Sequence, residues 1–381
     1  MSMSQSTIIR AVTASQSVGF HRNVRDDVKA LGFEAVSLSS PGPEADALKA
    51  SGWIVETVAM ERHISPVKDI KALLKLIGVF KRLKPTMVHS MTPKAGLLCM
   101  LAAWFTRVPL RVHTFTGLVF PTSTGLKRRI LMATDSLTCA CATHVIPEGE
   151  GVKNDLLNNR ITHKPISVLG YGNVRGIDLD RFNPHDPAIM HDAEKLRRPD
   201  LFTFIFVGRL VGDKGINELV DAFVRLHTIR PLTRLILVGP TEPELDPLKP
   251  ETEAEIENNP AIEAVGHQSD VRPWLAASDA FVFPSYREGF PNVVIEAGAM
   301  NLPSIVTDIN GSREIIQEGE NGTIIPSKNI DALYAAMLRF ATDRPMLEAM
   351  ASRARPLIVS RYEQNYVRQC LLNFYKEILP Q

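Results

Sequence analysis

Short apolar runs separated by longer amphipathic stretches recur along the whole chain. In the first half they fall at 7–12, 34–38, 54–58, 87–89, 110–115 and 143–146. In the second half they fall at 203–207, 234–238, 261–265, 280–283, 304–306 and 323–325. Their length and their β-branched and aromatic content predict strands, and the stretches between them predict helices. Strand and helix alternating in this way predict a parallel sheet with helices on both faces, an α/β fold. The rhythm occurs twice, and 381 residues suit two domains better than one core. A Gly-rich stretch at 169–182 reads as the connection between them.

Two helical stretches of the first half bear on partners. From 66 to 84, Val67, Ile70, Leu73, Leu74, Ile77, Phe80 and Leu83 share helical spacing, while Lys68, Lys71, Lys75 and Arg82 form a basic stripe on another face. That stripe reads either as a solvated surface or as a dock for anionic headgroups, and Lys127-Arg-Arg129 would extend it. The apolar run 95–105 is short of the roughly 20 residues that a membrane span needs and predicts a buried helix.

Charge is uneven. Residues 1–170 hold 21 Lys and Arg against 12 Asp and Glu, and 171–381 hold 22 against 30, although the whole chain is close to neutral at +1. A basic first half suggests an anionic membrane surface or a pyrophosphate-bearing lipid. No nucleic-acid-binding signature accompanies it, so no nucleic acid partner is expected. Cys99, Cys139, Cys141 and Cys370 lack metal-ligand spacing and read as buried, reduced thiols. The first residues resemble no secretory signal, which with the thiols points to a cytoplasmic location.

The candidate chemistry lies in two stretches of the second half. The apolar run 279–284 predicts a strand, and 286–300 follows it with a short loop and a helix, Pro291 suited to the first helical position and Phe290 before it offering no side-chain acceptor. The amides of Asn292 and Val293 then suit an anion, and the helix dipole favours a phosphate there. Glu288 and Glu296 could straddle that phosphate, one reaching sugar hydroxyls and the other ribose hydroxyls. Their spacing alone fits two surface glutamates on an ordinary helix better. At 203–217 a strand ends in Gly208, and Arg209 and Lys214 flank a loop containing Gly212 and Gly215. Glycines let backbone approach a phosphate, Arg offers a fork of donors and Lys a point charge, so this stretch suits a diphosphate.

Gly208-Arg209-Leu210 with Asp213-Lys214-Gly215, followed by Glu288-Gly-Phe-Pro-x4-Glu296, resemble the paired donor-site motifs of family 4 glycosyltransferases. These are retaining enzymes of the GT-B fold, two Rossmann-like domains facing each other across a cleft. The stretches at 39–44, 60–66, 88–96 and 112–117 resemble the branch that builds capsule, O-antigen lipopolysaccharide and N-linked glycan precursors in bacteria. The resemblance implies an acceptor-side domain at 1–170, a nucleotide-sugar domain at 171–360, and a last helix at 361–381 that crosses back to the first domain. It implies a nucleotide-sugar donor, UDP-linked above all, and a lipid-linked saccharide acceptor on the inner face of the plasma membrane, to which the protein would bind peripherally.

Further residues follow from the resemblance. Val265 and Gly266 would lie near the base, and the loop carrying Thr92, Lys94 and Gly96 would line the acceptor side. Gly19 and His21 follow the first strand and are candidates in the cleft, against the plainer reading of a turn and a surface residue. Thr116 stands where many relatives carry a His that reaches the donor sugar. A hydroxyl cannot act as acid or base near neutral pH, and His113, an odd number of residues earlier, points to the other strand face. Asp178-Leu-Asp180 spells a metal motif of another glycosyltransferase fold, but it lies in the connection, and no metal or other cofactor is expected.

In the expected reaction Arg209, Lys214 and the Asn292 and Val293 amides stabilise the departing diphosphate, and Glu288 orients the donor ring. No second carboxylate qualifies as a nucleophile for a double displacement. The competing readings are a nucleotide-sugar 2-epimerase of the same architecture and a non-catalytic sugar-nucleotide or membrane-binding subunit.

Overall fold

The computed structural model describes residues 6–21, 24–61, 63, 65–242, 244 and 246–380. Arg62 and Ile64 of the 60–66 stretch lie outside the described residues. The chain divides into two compact units, Met1–Gly176 with Asn365–Gln381, and Ile177–Gln364.

The first unit is built on a parallel sheet of β1 (Thr7–Ala11), β2 (Glu34–Ser39), β3 (Ile54–Thr57), β4 (Met87–Met91), β5 (Leu110–Phe115) and β6 (His144–Pro147), in the order β3-β2-β1-β4-β5-β6. Strand order reverses between β1 and β4. These central strands are buried because both of their faces are covered, with Ile8, Ile9, Met87 and Val88 fully buried and the polar Arg10, His89 and Ser90 buried among them.

The second unit repeats the plan with β7 (Phe202–Val207), β8 (Thr233–Val238), β9 (Ile262–Gly266), β10 (Ala280–Phe283), β11 (Ser304–Thr307) and β12 (Gly322–Ile325), in the order β12-β11-β10-β7-β8-β9. Its reversal falls between β7 and β10, which pair directly, Ala280 with Phe204 and Phe281 with Ile205. In open sheets of this kind ligands bind beyond the carboxyl ends of the strands at that reversal. The two loops carrying Arg209, Lys214 and Glu288 leave the sheet there.

The last helix, Gln364–Ile378, packs in the first unit. Its Tyr375 is fully buried, and the phenol accepts from Arg10 Nη1 at 2.7 Å and lies 2.6 Å from His89 Nδ1. His89 Nε2 in turn meets Thr114 Oγ1 at 2.7 Å. One hydroxyl thus serves a buried guanidinium and a buried imidazole. Tyr375→Phe should destabilise the first unit by about 1–3 kcal/mol, since it leaves both groups short of a partner in a dry interior. Urea unfolding checks this, and an unchanged midpoint would mean that packing alone holds the helix.

Two expectations are corrected in this unit. His21 is not a surface residue. It is fully buried, 2.8 Å from Ser37 Oγ and beside the Trp53 ring, because the short 3-10 helix Ser15–His21 turns it inward. Cys370 is half-buried, whereas Cys99, Cys139 and Cys141 are buried as expected, with burial pushing the Cys99 and Cys139 thiols up to about 12.

Candidate donor site

The loop after β7 closes as a 3-10 turn, Gly212–Lys214, before the helix Ile216–Ile229. The loop after β10 runs through Ser285 to Pro291 before the helix Asn292–Ala299. Backbone and side chain tie the two together. The Tyr286 amide donates to the Asp213 carbonyl at 2.9 Å, and Arg287 Nη2 pairs with Asp213 Oδ2 at 3.1 Å. Asp246 accepts from the Asp213 amide at 2.6 Å and fixes the turn from the other side.

Within this frame Lys214 Nζ lies 2.5 Å from Glu288 Oε1, joining the two motifs in one ion pair. Both side chains are largely covered, at 13% and 23% exposure, so their charges act through less water than a surface pair would feel. Ser285 Oγ approaches the same carboxylate oxygen at 3.4 Å, while Thr307 Oγ1 donates to the Ser285 carbonyl at 2.5 Å. The carboxylate is therefore held from its own loop as well as from Lys214.

The glycines also serve the packing of the loops. A Cβ on Gly215, whose φ is +72°, would sit 2.2 Å from the Pro284 carbonyl oxygen, and one on Gly212 would sit 2.9 Å from Asp246 Oδ1. Gly215 lets the loops after β7 and β10 pack on each other, and Gly212 lets Asp246 of the loop after β8 close in. Gly311, at φ +73°, does the same for the second loop, where an added Cβ would meet the Gly289 carbonyl and the Pro291 ring at 2.6 Å. Gly215→Ala should therefore cost about 1–3 kcal/mol and loosen the Lys214–Glu288 pair, an effect read by thermal unfolding. A stability equal to that of the unaltered chain would show that the loops tolerate separation.

The helix also starts one residue later than expected. Pro291, at φ −75° and ψ 104°, is the cap residue and Asn292 the first helical one, because proline's fixed φ is compatible with either place while its ψ here is extended. No side chain caps this end, and the Val294 amide reaches back to the Pro291 carbonyl at 3.1 Å. The dipole of the helix still points its positive end at the loop carrying Glu288. Glu296 is half-buried further along the helix. Phe290 is a core residue, 5% exposed and edge-on to Tyr362 at 5.5 Å, so it positions the loop from beneath.

Arg209 pairs with a different carboxylate from the one that holds Lys214. Its Nη1 donates to Glu242 Oε2 at 2.6 Å, since Leu210 continues the strand pairing into the loop after β8 by bridging to Thr241. Half-exposed and on the β8 side, it forms a second cation–carboxylate pair. Val265 and Gly266 end β9, and the Gly239 amide donates to the Gly266 carbonyl at 2.9 Å, joining the β8 and β9 ends. Sequence reasoning missed Glu242, Asp246 and Gly311, and gave Asp213 no role beyond its place in the motif. The signal for Glu242 was present, as it lies two residues after Gly239-Pro240 at a strand end.

The candidates of the first unit lie around its own reversal. Thr92 Oγ1 accepts from the Thr13 amide at 3.0 Å and meets Thr13 Oγ1 at 2.8 Å, which holds Thr92 at φ +99°, ψ 141°. A β-branched residue there carries strain of about 1–3 kcal/mol. Lys94 is engaged internally, 2.6 Å from Asp69 Oδ2 and 3.0 Å from the His63 carbonyl. Gly19 is exposed and Thr116 half-exposed. His113 is buried, with Ser90 Oγ 2.8 Å from Nδ1, and burial pushes its pKa down to about 3. A cavity of about 390 Å³ opens nearby between Ser15, Gln16, Ser40, Gly42, Glu61 and His63. Among the described residues no group of His, Cys, Asp and Glu is placed to hold a metal ion.

Comparison with known proteins follows this division. Residues 190–356 match the glycosyl transferases group 1 model, and residues 22–172 match the glycosyl transferase 4-like domain. The capsular polysaccharide biosynthesis glycosyltransferase CapM of Staphylococcus aureus is 29% identical over 100% of this chain and 99% of its own. The UDP-Gal:alpha-D-GlcNAc-diphosphoundecaprenol alpha-1,3-galactosyltransferase of Escherichia coli is 28% identical over 84% of this chain and 83% of its own. Anabaena HepE, solved with UDP and glucose, shares the fold at a TM-score of 0.81 with 18% identity, over 98% of this chain and all of its own. With both of its halves matched and both sheets in the Rossmann-like order, the chain belongs to the family 4 glycosyltransferases of GT-B fold.

Proposed function

We propose that this protein moves a sugar from a UDP-linked donor to a lipid-linked saccharide in the assembly of a bacterial surface polysaccharide, with retention of configuration. The observation that carries the reading is the Lys214–Glu288 pair at the β7–β10 reversal, beside a helix end that no side chain caps. A cation and a helix dipole at one point suit a diphosphate, and the carboxylate beside them suits sugar hydroxyls. The full-length similarity to a capsule glycosyltransferase and to an enzyme named for a diphosphoundecaprenol acceptor supports the substrate class.

In this mechanism Lys214 and the amides at Asn292 and Val293 take up the charge that grows on the departing diphosphate. Arg209, on its own carboxylate, exchanges Glu242 for the donor's far phosphate. Glu288 orients the donor ring, and the acceptor hydroxyl attacks the face that the diphosphate leaves, passing its proton to the oxygen of the diphosphate that has parted from the sugar. The positive charge comes from side chains and a helix end, so the reaction runs without a metal. Val265, Gly266 and Glu296 would meet the nucleoside; Gly19, Thr92 and Thr116 would face the acceptor, with Lys94 holding their loop through Asp69.

The test is a thermal-shift screen of nucleotide sugars followed by mass spectrometry of transfer to membrane-lipid extracts. A lipid product heavier by one sugar, with release of UDP, is expected. Conversion of a UDP-sugar to an epimer without acceptor would make the protein an epimerase, and binding without turnover would make it a non-catalytic subunit.

A further inference from the structure

Three helices of the first unit lie side by side: Pro66–Leu83 packs on Pro93–Phe105, which packs in turn on Gly125–Cys141. The middle helix is covered along most of its length. Each flanking helix carries an apolar stripe on the side away from the core.

On Pro66–Leu83, the apolar residues that share helical spacing split between two faces. Ala72, Leu76 and Phe80 are buried, whereas Val67, Ile70 and Leu74 are 68%, 59% and 63% exposed. At 3.6 residues per turn the two sets centre on opposite sides of the helix. On Gly125–Cys141, Leu126, Ile130, Ala133 and Leu137 follow one another at i, i+4, i+7 and i+11, and all four are exposed. A helix whose core face is already covered gains nothing in folding from a second apolar stripe, and two such stripes in one layer mark an interaction surface.

Charge identifies the occupant. Lys71 and Lys75 run along one edge of the first stripe, and Lys127 and Arg129 stand on either side of the second; all four are exposed, and among the described residues none is paired with a carboxylate. Lys68 and Arg82, by contrast, are paired with Glu61 and Glu56. Apolar side chains edged by uncompensated cations fit the boundary between acyl chains and anionic headgroups. Among the described residues no helix is long and apolar enough to cross a membrane, so the contact would be with its surface.

We propose that Val67, Ile70 and Leu74, together with Leu126, Ile130 and Leu137, insert into an anionic lipid leaflet while Lys71, Lys75, Lys127 and Arg129 bind its phosphates. This deepens the functional reading above, in which the acceptor is lipid-linked, and turns a basic dock into an inserting face.

Sedimentation with phosphatidylglycerol-containing vesicles and with phosphatidylcholine vesicles tests it, at low salt and at about 0.5 M salt. Binding to the anionic vesicles is expected, weakened but not abolished by salt. Ile70→Glu/Leu74→Glu and Leu126→Glu/Ile130→Glu should each lower vesicle affinity at least roughly tenfold with circular dichroism unchanged. As a second measurement, Leu74→Trp fluorescence should be quenched by brominated acyl chains. Glutamate variants that bind like the unaltered protein, or a Leu74→Trp signal untouched by brominated lipid, would overturn the proposal. So would a dimer in sedimentation velocity that these substitutions split while vesicle binding is absent, which would make the stripes a contact between copies of this chain. UDP titration of the same samples, without lipid, reads the donor site separately, so loss of one result leaves the other standing.

Discussion

Lys214→Ala should lower kcat/KM about 10²–10³-fold while the far-ultraviolet circular dichroism stays unchanged. In the proposed mechanism, removal of the ammonium takes away a charge aimed at the leaving group, and it also leaves the Glu288 carboxylate, 23% exposed, without its partner. Glu288→Ala should be of similar size for a different reason, since it frees Lys214 but removes the group proposed to orient the donor ring. Because the two act as one unit, the double variant should be little worse than the poorer single variant. Arg209→Ala should cost less, because Arg209 is half-exposed and engaged with Glu242 on the β8 side. Steady-state rates with a competent donor and acceptor check all four. Near-normal rates for both single variants would remove Lys214 and Glu288 from the mechanism.

The second large effect expected is acid lability confined to the first unit. His21 and His89 are fully buried, and desolvation, with the Arg10 charge adding to it, holds both well below the usual histidine range; His113 is pushed down to about 3 by burial. A histidine with a lowered folded pKa is neutral in the native state and takes a proton on unfolding. Its contribution is therefore whole above the unfolded value near 6.5 and is lost as pH falls from there toward the folded pKa. Asp135, pushed up to about 7 by burial, works in the opposite direction over the same range. Three histidines outweigh one carboxyl, so the first unit should lose about 2 kcal/mol or more of stability per pH unit between about pH 6 and 4.5. Hydrogen exchange read by mass spectrometry separates the units. After correction for intrinsic rates, β1, β4 and β5 should lose protection over this range while β7 and β8 keep theirs. Equal protection in both units would mean that the histidines are not buried neutral.

Much of this architecture is legible in the sequence because parallel strands covered on both faces announce themselves as short apolar runs. The runs at 203–207 and 280–283 give β7 and β10, and the strand–loop–helix reading at 286–300 places Glu288 before a helix end. What periodicity cannot give is which apolar face the fold covers. Val67, Ile70 and Leu74 share helical spacing with buried Leu76 and Phe80, yet stand on the opposite side. Pairing between loops is equally hidden. Arg209 meets Glu242 only because β8 lies beside β7, and Gly215 is glycine because Pro284 of another loop leaves no room for a Cβ. His21 shows the same limit, since its burial depends on Ser37 and Trp53 from elements far along the chain.

The central claim is that a diphosphate is held at the carboxyl ends of β7 and β10 by Lys214 and the start of the helix Asn292–Ala299. Titration calorimetry with UDP, UMP and uridine, on the unaltered chain and on Lys214→Ala, tests it most directly. UDP should bind at least roughly tenfold more tightly than uridine, and Lys214→Ala should erase most of that difference. Equal affinities for UDP and uridine, or a UDP preference unchanged by Lys214→Ala, would contradict the account.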